Sequence, residues 1–320
     1  MNDIAIIGAG AWGTALAIQA ARAGNVVTLW ARDPARAQAI ASTRENPRLP
    51  GIRLPESIAV TADLPAAAHA FLLAVPVQHM RAVAARLPSG GAPFLVCAKG
   101  VEAGSLRLPL EILGAVHPGR PAAVLSGPTF AAEIARGLPA AAVIAATDPA
   151  LRAYLTQLLA TPGFRLYGND DPIGVQAGAA AKNVIAIAAG AVIGAGLGEN
   201  ARAALITRGV AELSRLIVAL GGRTETAMGL SGLGDLLLTC TGPSSRNFSL
   251  GHALGRGESL ASILAGRSSV TEGVATAPAL IARAGELDMP ICTAVAALVS
   301  GHAGVADLMA GLLARPRRDE

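Results

Sequence analysis

A glycine turn wedged between a short apolar run and a helix constrains this chain more than any other feature. Gly8, Gly10 and Gly13 follow the strand-like run from Ile4 to Ile7 and open an Ala-rich helical stretch. The spacing is G-x-G-x-x-G, which lets bare backbone approach a pyrophosphate at the positive end of a helix. A lone pattern of this kind is weak, and a glycine turn without a ligand is its bland alternative. Here a second strand-like run at 26–30 completes the βαβ context that gives the motif its meaning.

The same alternation continues to about residue 168, with apolar runs of strand type near 3–7, 26–30, 58–60, 70–75, 93–97, 122–126, 140–146 and 164–167. Short runs separated by helical stretches specify an α/β fold with a Rossmann-like doubly wound sheet. The Pro-rich segment from Asn46 to Pro55 reads as a long surface loop with no evident role. After Asn169 the strand signal ends and consecutive helices follow, the first opening at Asp171-Pro172, an N-cap followed by proline at the first helical position. Two domains are therefore expected, a dinucleotide-binding domain over 1–170 and an all-helical domain over 171–320. The tail from Arg315 to Glu320 reads as polar and frayed.

Composition narrows the function classes. At 320 residues, 52% of them hydrophobic and 15% charged, the chain can bury two cores without disulfides or metals. The uncharged run from Asn183 to Gly198 is short and Gly-rich for a membrane span, so a buried core helix is the expectation. With no leader before the first strand, a cytoplasmic protein is expected. Cys97, Cys240 and Cys292 are scattered and lack metal-ligand spacing, as do the histidines at 69, 79, 117, 252 and 302, so no metal site is expected. The net charge of +4 is spread along a chain with two Tyr and two Trp, which speaks against nucleic acid and suits a small anionic substrate.

Of the 26 basic residues only two, Lys99 and Lys182, are lysine. Arginine supplies the routine charge, and an ammonium offers proton chemistry that a guanidinium does not. Lys182 is the one charged residue between Pro172 and Gly198, with no acid at 178, 179, 185 or 186 to pair with it along the helix. It must face a cleft, find a tertiary partner or lose its charge by desolvation; a lysine snorkelling at a helix edge is the plain alternative. Lys99 follows a strand at the carboxyl edge of the sheet, where ligands of such folds collect. Asp235 sits at a helix start, where a cap is the simplest reading, and Thr239 lies one turn on. Ser244-Ser245-Arg246-Asn247 opens another helix with hydroxyls, backbone donors and a guanidinium, a set suited to phosphate. At the end of the second strand Trp30-Ala31-Arg32 stands where an NAD-selective site places an acid, which tilts the expectation toward NADP, with NAD open.

Taken in order, Gly8 to Leu16, Ala98-Lys-Gly-Val101, Ser126-Gly-Pro-Thr-Phe-Ala131, Lys182-Asn-Val184, Gly234-Asp235 with Thr239, Ser245-Arg-Asn247 and Glu272-Gly273 resemble the bacterial NAD(P)-dependent glycerol-3-phosphate dehydrogenases over nearly the whole chain. Ala11 and Thr129 stand where many members carry Ser. The resemblance implies interconversion of glycerol 3-phosphate and dihydroxyacetone phosphate, feeding glycerophospholipid synthesis. It implies Lys182 as proton acceptor and donor at the C2 oxygen, Lys99 as the group polarising that oxygen, and Asp235 as the residue orienting Lys182. Asn183 and Thr239 would line the substrate, while Gly127, Thr129, Ser245, Arg246 and Asn247 would hold its phosphate. Gly8, Gly10, Ala11, Trp12, Gly13, Arg32, Lys99, Ala131, Arg246, Val270 and Glu272 would contact the dinucleotide. The helical half offers surfaces for a homodimer, and no residue identifies the interface.

Two other readings compete. A related two-domain dehydrogenase acting on a β-hydroxy acid also combines a Rossmann domain with Lys and Asn on a helix. A non-catalytic dinucleotide sensor would keep the first half, yet would need neither lysine.

Overall fold

The structure, a computed structural model, describes residues 2–267, 271–306 and 310. Its contacts divide the chain into two units, Met1–Lys99 with Arg107–Gln176 and Gly100–Leu106 with Ala177–Glu320.

The first unit holds β1 (Asp3–Ile7), α1 (Ala11–Arg22), β2 (Val26–Trp30), α2 (Pro34–Thr43), β3 (Ile58–Thr61), β4 (Ala70–Leu73), α3 (Val77–Ala84), β5 (Phe94–Val96), α4 (Pro109–Val116), β6 (Ala122–Ser126), α5 (Ala131–Arg136), β7 (Ala140–Ala145), α6 (Pro149–Leu159) and β8 (Phe164–Asn169). These strands form one sheet in the order β3-β2-β1-β4-β5-β6-β7-β8. β4 and β5 are buried along their whole length, as expected for parallel strands covered on both faces. Ile4, Ile6, Leu29, Leu72, Leu95, Leu125 and Ile144 pack with Leu16 and Ile18 of α1 into one apolar core. Every strand pair is parallel except β6 with β7. The apolar runs announce the strands but carry no information about this reversal.

Strand order reverses beside β1, whose neighbours are β2 and β4. The carboxyl ends of strands at such a switch point leave the crevice in which open α/β sheets bind ligands. The glycine turn occupies that place, since a Cβ on Gly8 would stand 2.9 Å from the carbonyl oxygen of Ala74, just past β4.

The segment 46–55 forms neither helix nor named strand, as expected of a loop, and part of it turns inward. Leu49, Ile52 and Leu54 are buried, and the Asn46 amide donates to the carbonyl of Ala9 (3.1 Å) and to Thr14 Oγ1 (2.7 Å). Prolines interrupt regular structure here without preventing burial, and Asn46 props the glycine turn from behind.

The second unit is helical. Its elements are α7 (Pro172–Gly194), whose first turn belongs to the first unit, then α8 (Gly198–Ala219), α9 (Thr224–Ala227), a π-helical turn (Leu230–Gly234), α10 (Asp235–Cys240), α11 (Arg246–Gly255), α12 (Leu260–Ala265), α13 (Glu272–Ala284) and α14 (Pro290–Val299). Asp171 accepts the Gly174 N–H at 2.8 Å, so α7 starts at the expected cap. By length and composition α7 could cross a membrane, but 83% of its most apolar stretch is buried within the protein.

α7 and α11 cross at backbone contact. A Cβ on Gly190 would lie 2.0 Å from the carbonyl oxygen of Phe248, one on Gly194 2.1 Å from that of His252, and one on Gly251 1.9 Å from that of Ile187. No side chain fits at these positions, and the glycines set the register of the two helices.

Candidate active site

In the first unit the three motif glycines answer to different constraints. Gly8 has φ +119°, a conformation that L side chains rarely adopt, and a Cβ on Gly13 would overlap the Gly8 carbonyl at 1.8 Å. Gly10 has an ordinary negative φ, and nothing lies within 4 Å of where its Cβ would be. The fold demands Gly8 and Gly13, whereas the open space at Gly10 is the kind a pyrophosphate needs at a helix N-terminus. Ala11 begins α1, and the Trp12 indole N–H donates to the Cys97 carbonyl at 3.1 Å, tying α1 to the end of β5.

Past β2, Arg32 is exposed and makes no protein hydrogen bond or ion pair among the described residues. Asp33 caps α2 through the Ala35 and Arg36 N–H groups at 3.0 and 3.4 Å. No acid ends β2, so the residues present fit a dinucleotide and leave a cation where a 2′-phosphate would lie.

Lys99 donates to the Gly127 carbonyl at 3.3 Å, and the Thr129 hydroxyl donates to the same oxygen at 3.2 Å. Gly127 has φ +146°, and a Cβ there would stand 2.8 Å from Ala142 Cα, so this position after β6 tolerates no side chain. Ala131 opens α5 directly after this turn. Burial dominates the Cys97 thiol, pushing its pKa up despite the nearby Lys99 charge.

In the second unit Lys182, on the buried stretch of α7, finds a tertiary partner. Its ammonium lies 2.5 Å from Asp235 Oδ1 and 2.9 Å from Thr239 Oγ1. The π-helical turn delivers Asp235: Gly178 of α7 packs against the Ser231 carbonyl, and a Cβ on Gly232 would overlap the Ala227 carbonyl at 2.2 Å. A helical backbone with one extra residue per turn is a recurrent device at functional sites. Thr239 donates to the Asp235 main-chain carbonyl at 2.6 Å, which turns its oxygen lone pairs toward the ammonium. Asp235 is the first residue of α10, yet its carboxylate meets Lys182, beyond the simple cap its local sequence suggests. Next to this pair the buried Cys240 thiol is pushed up to about 12, first by burial, then by Asp235 against the opposing pull of Lys182 and Arg202.

Asn183, Asn247 and Gly273 come together beside them. The Asn247 amide nitrogen donates to Asn183 Oδ1 at 2.9 Å, and Asn247 Oδ1 accepts the Gly273 N–H at 3.1 Å. Ser245 caps α11 by accepting the Phe248 N–H at 3.2 Å, and Arg246 is exposed in the first turn. Arg267, which nothing in the sequence singles out, donates to the Arg246 carbonyl at 2.8 Å and to Ser249 Oγ at 3.0 Å. Burial and then the charge of Arg246 lower its pKa. Two guanidiniums and a helix N-terminus thus concentrate positive potential at the start of α11. Glu272 opens α13, and Val270 lies outside the described residues.

A cleft of about 350 Å³ lies away from all of this, around Gln19, Arg22, Gly137 and Thr161 at the opposite end of α1 from the glycine turn. Arg22 and Gln19 are already paired there: Arg22 donates to Gln19 and to the Ile134 and Ala135 carbonyls, and Gln19 to Leu159 and Thr161. Among the described residues no group of three His, Cys, Asp or Glu side chains is arranged to hold a metal.

The chain is similar to known proteins over nearly its whole length. The model of the NAD-dependent glycerol-3-phosphate dehydrogenase N-terminus matches residues 3–152, and that of the corresponding C-terminus matches residues 171–310. The chain is 57% identical to a glycerol-3-phosphate dehydrogenase [NAD(P)+] of Acidiphilium cryptum, over 99% of this chain and 98% of that protein. It is 53% identical to the protein of the same name from Gluconobacter oxydans, over 98% and 97% of the two chains. A crystal structure of glycerol-3-phosphate dehydrogenase from Coxiella burnetii superposes with a TM-score of 0.94 at 36% identity, covering 98% of this chain and 99% of that one.

Proposed function

The chain belongs to the NAD-dependent glycerol-3-phosphate dehydrogenase family, and from that premise we infer that it interconverts sn-glycerol 3-phosphate and dihydroxyacetone phosphate with NAD or NADP. The observation that carries the reading at the level of chemistry is the buried Lys182 ammonium held by Asp235 and Thr239. A bound dinucleotide supplies hydride chemistry at the C2 carbon. In reduction Lys182 gives a proton to the C2 oxygen, and in oxidation it takes that proton back. Asp235 keeps the ammonium aimed. Ser245, Arg246 and the start of α11 hold the phosphate, while Asn183 and Thr239 line the substrate.

Gly8, Gly10, Ala11, Trp12, Gly13, Ala131 and Glu272 hold the dinucleotide in this reading. Arg32, exposed at the end of β2 where no acid stands, favours NADPH over NADH. The enzyme works in the cytoplasm as a homodimer and supplies glycerol 3-phosphate for glycerophospholipids; three buried thiols suit a reducing compartment. The family match favours this reading over a β-hydroxy acid dehydrogenase or a non-catalytic sensor. Mixing purified protein with NADPH or NADH and either dihydroxyacetone phosphate or a β-keto acid tests it. Oxidation of the dinucleotide with dihydroxyacetone phosphate alone is expected; turnover of the keto acid alone would overturn the assignment.

A further inference from the structure

Between α2 and β3 the chain makes a closed loop whose first residue reaches the glycine turn. The base of the loop is pinned: the Leu54 N–H donates to the Arg44 carbonyl at 2.8 Å, and the Arg44 guanidinium donates to the carbonyls of Pro55 and, at 2.9 Å, Ile58. Leu49, Ile52 and Leu54 then join the apolar core that also holds Ala9 and Leu16. Within this loop Asn46 is fully buried, and its amide is bonded at both ends. The Arg48 N–H, which can only donate, meets Asn46 Oδ1 at 3.0 Å. The NH2 group is therefore the end that faces the Ala9 carbonyl at 3.1 Å and Thr14 Oγ1 at 2.7 Å.

The Ala9 carbonyl belongs to the peptide that joins Ala9 to Gly10. A trans peptide is planar, and its carbonyl and the following N–H point in opposite directions. With the carbonyl held by Asn46, the Gly10 N–H points away from Asn46. It has no acceptor among the described residues, and nothing lies within 4 Å of where a Gly10 Cβ would be. We propose that Asn46 is a positioning residue of the dinucleotide site, holding the Ala9 carbonyl so that the Gly10 N–H is aimed at the diphosphate. The proposal rests on the dehydrogenase reading and adds to it a residue and a loop outside the glycine motif. Gly10 has the backbone freedom to let this peptide flip, and a flipped peptide would turn its carbonyl oxygen toward an anion. Asn46 opposes that flip.

Two features separate this role from plain packing. Thr14, fully buried on α1, takes the other bond of the same NH2 group. Removing its hydroxyl deprives Asn46 of a partner in the same buried place yet leaves the Ala9 bond standing. The diphosphate is common to NADPH and NADH, whereas the 2′-phosphate belongs to NADPH alone. A residue that acts through the Gly10 N–H therefore strengthens the binding of both dinucleotides by one factor.

Fluorescence titration of the full-length protein with NADPH and with NADH, beside steady-state kinetics and melting curves, tests the proposal. Asn46→Leu keeps the volume and cannot donate. It should raise Kd and KM for both dinucleotides about tenfold, as the loss of one charge-assisted hydrogen bond would, with a smaller fall in kcat. Asn46→Ser, too short to reach Ala9, should do the same if the leucine variant folds poorly. Thr14→Val should hold both Kd values within about twofold of wild type. Failure of both Asn46 variants to fold, or a lower melting temperature with unchanged Kd, would confine Asn46 to the fold and overturn the proposal. So would a rise in Thr14→Val equal to that in Asn46→Leu, or a rise for NADPH alone. Wild-type protein that binds neither dinucleotide would instead overturn the functional reading, and the proposal with it.

Discussion

Lys182 and Asp235 stand 53 positions apart in sequence and meet at 2.5 Å, both buried. Neither charge is tolerable there alone, because removing an ion from water costs several kcal/mol that only a partner offsets. Their pairing is thus a structural requirement and a catalytic arrangement at once. Asp235→Asn keeps the shape but removes the negative charge that faces the ammonium. The variant should lose about 3 kcal/mol of stability and most of its turnover. Thermal melts and steady-state rates decide this, and an unchanged rate would remove Asp235 from the mechanism.

The glycine turn separates folding from binding within a single motif. Gly13→Ala places a Cβ 1.8 Å from the Gly8 carbonyl and should destabilise the protein by about 2–4 kcal/mol. Gly10→Ala meets no protein atom within 4 Å and should melt like wild type while binding NADPH at least tenfold more weakly. Titration of NADPH by fluorescence beside a melting curve tests both; a large fall in melting temperature for Gly10→Ala would mean that the space belongs to the fold.

Glu212 gives a prediction in pH. Buried on α8, it accepts the Ile291 and Cys292 N–H groups at 2.6 and 3.1 Å and so caps α14. Burial raises its pKa above the ordinary 4.5, outweighing the two N–H groups and Arg215, which lower it. The folded state therefore holds this proton to higher pH than the unfolded chain. The stability it contributes is fully present below 4.5 and is lost as pH rises through the raised value. Glu212→Gln cannot ionise, so its melting temperature relative to wild type should climb as pH rises across that interval; a relative fall would show that the N–H groups dominate.

Much of this molecule is legible from local pattern, and the boundary of legibility is physical. Strands such as Ala70–Leu73, buried on both faces, leave continuous apolar runs that mark their position directly. The antiparallel pairing of β7 leaves no mark, since direction in the sheet depends on the connection and not on hydropathy. Lys182 announces itself because an unpaired charge in an apolar helix demands explanation, but its partner is invisible until the π-helical turn carries Asp235 to it. Asn46, Arg267 and the Asn247–Gly273 contact rest on hydrogen bonds between distant segments. Single polar residues of this kind have no periodicity to betray them, and the Pro-rich composition of 46–55 marks a loop without marking which of its residues turn inward.

Proton transfer by Lys182 is the centre of the account, and the kinetics of Lys182→Ala test it most directly. The variant should lose about 10²- to 10⁴-fold in kcat for dihydroxyacetone phosphate reduction while NADPH binds with nearly unchanged Kd. Turnover within a few-fold of wild type would contradict the account and place the proton donor elsewhere.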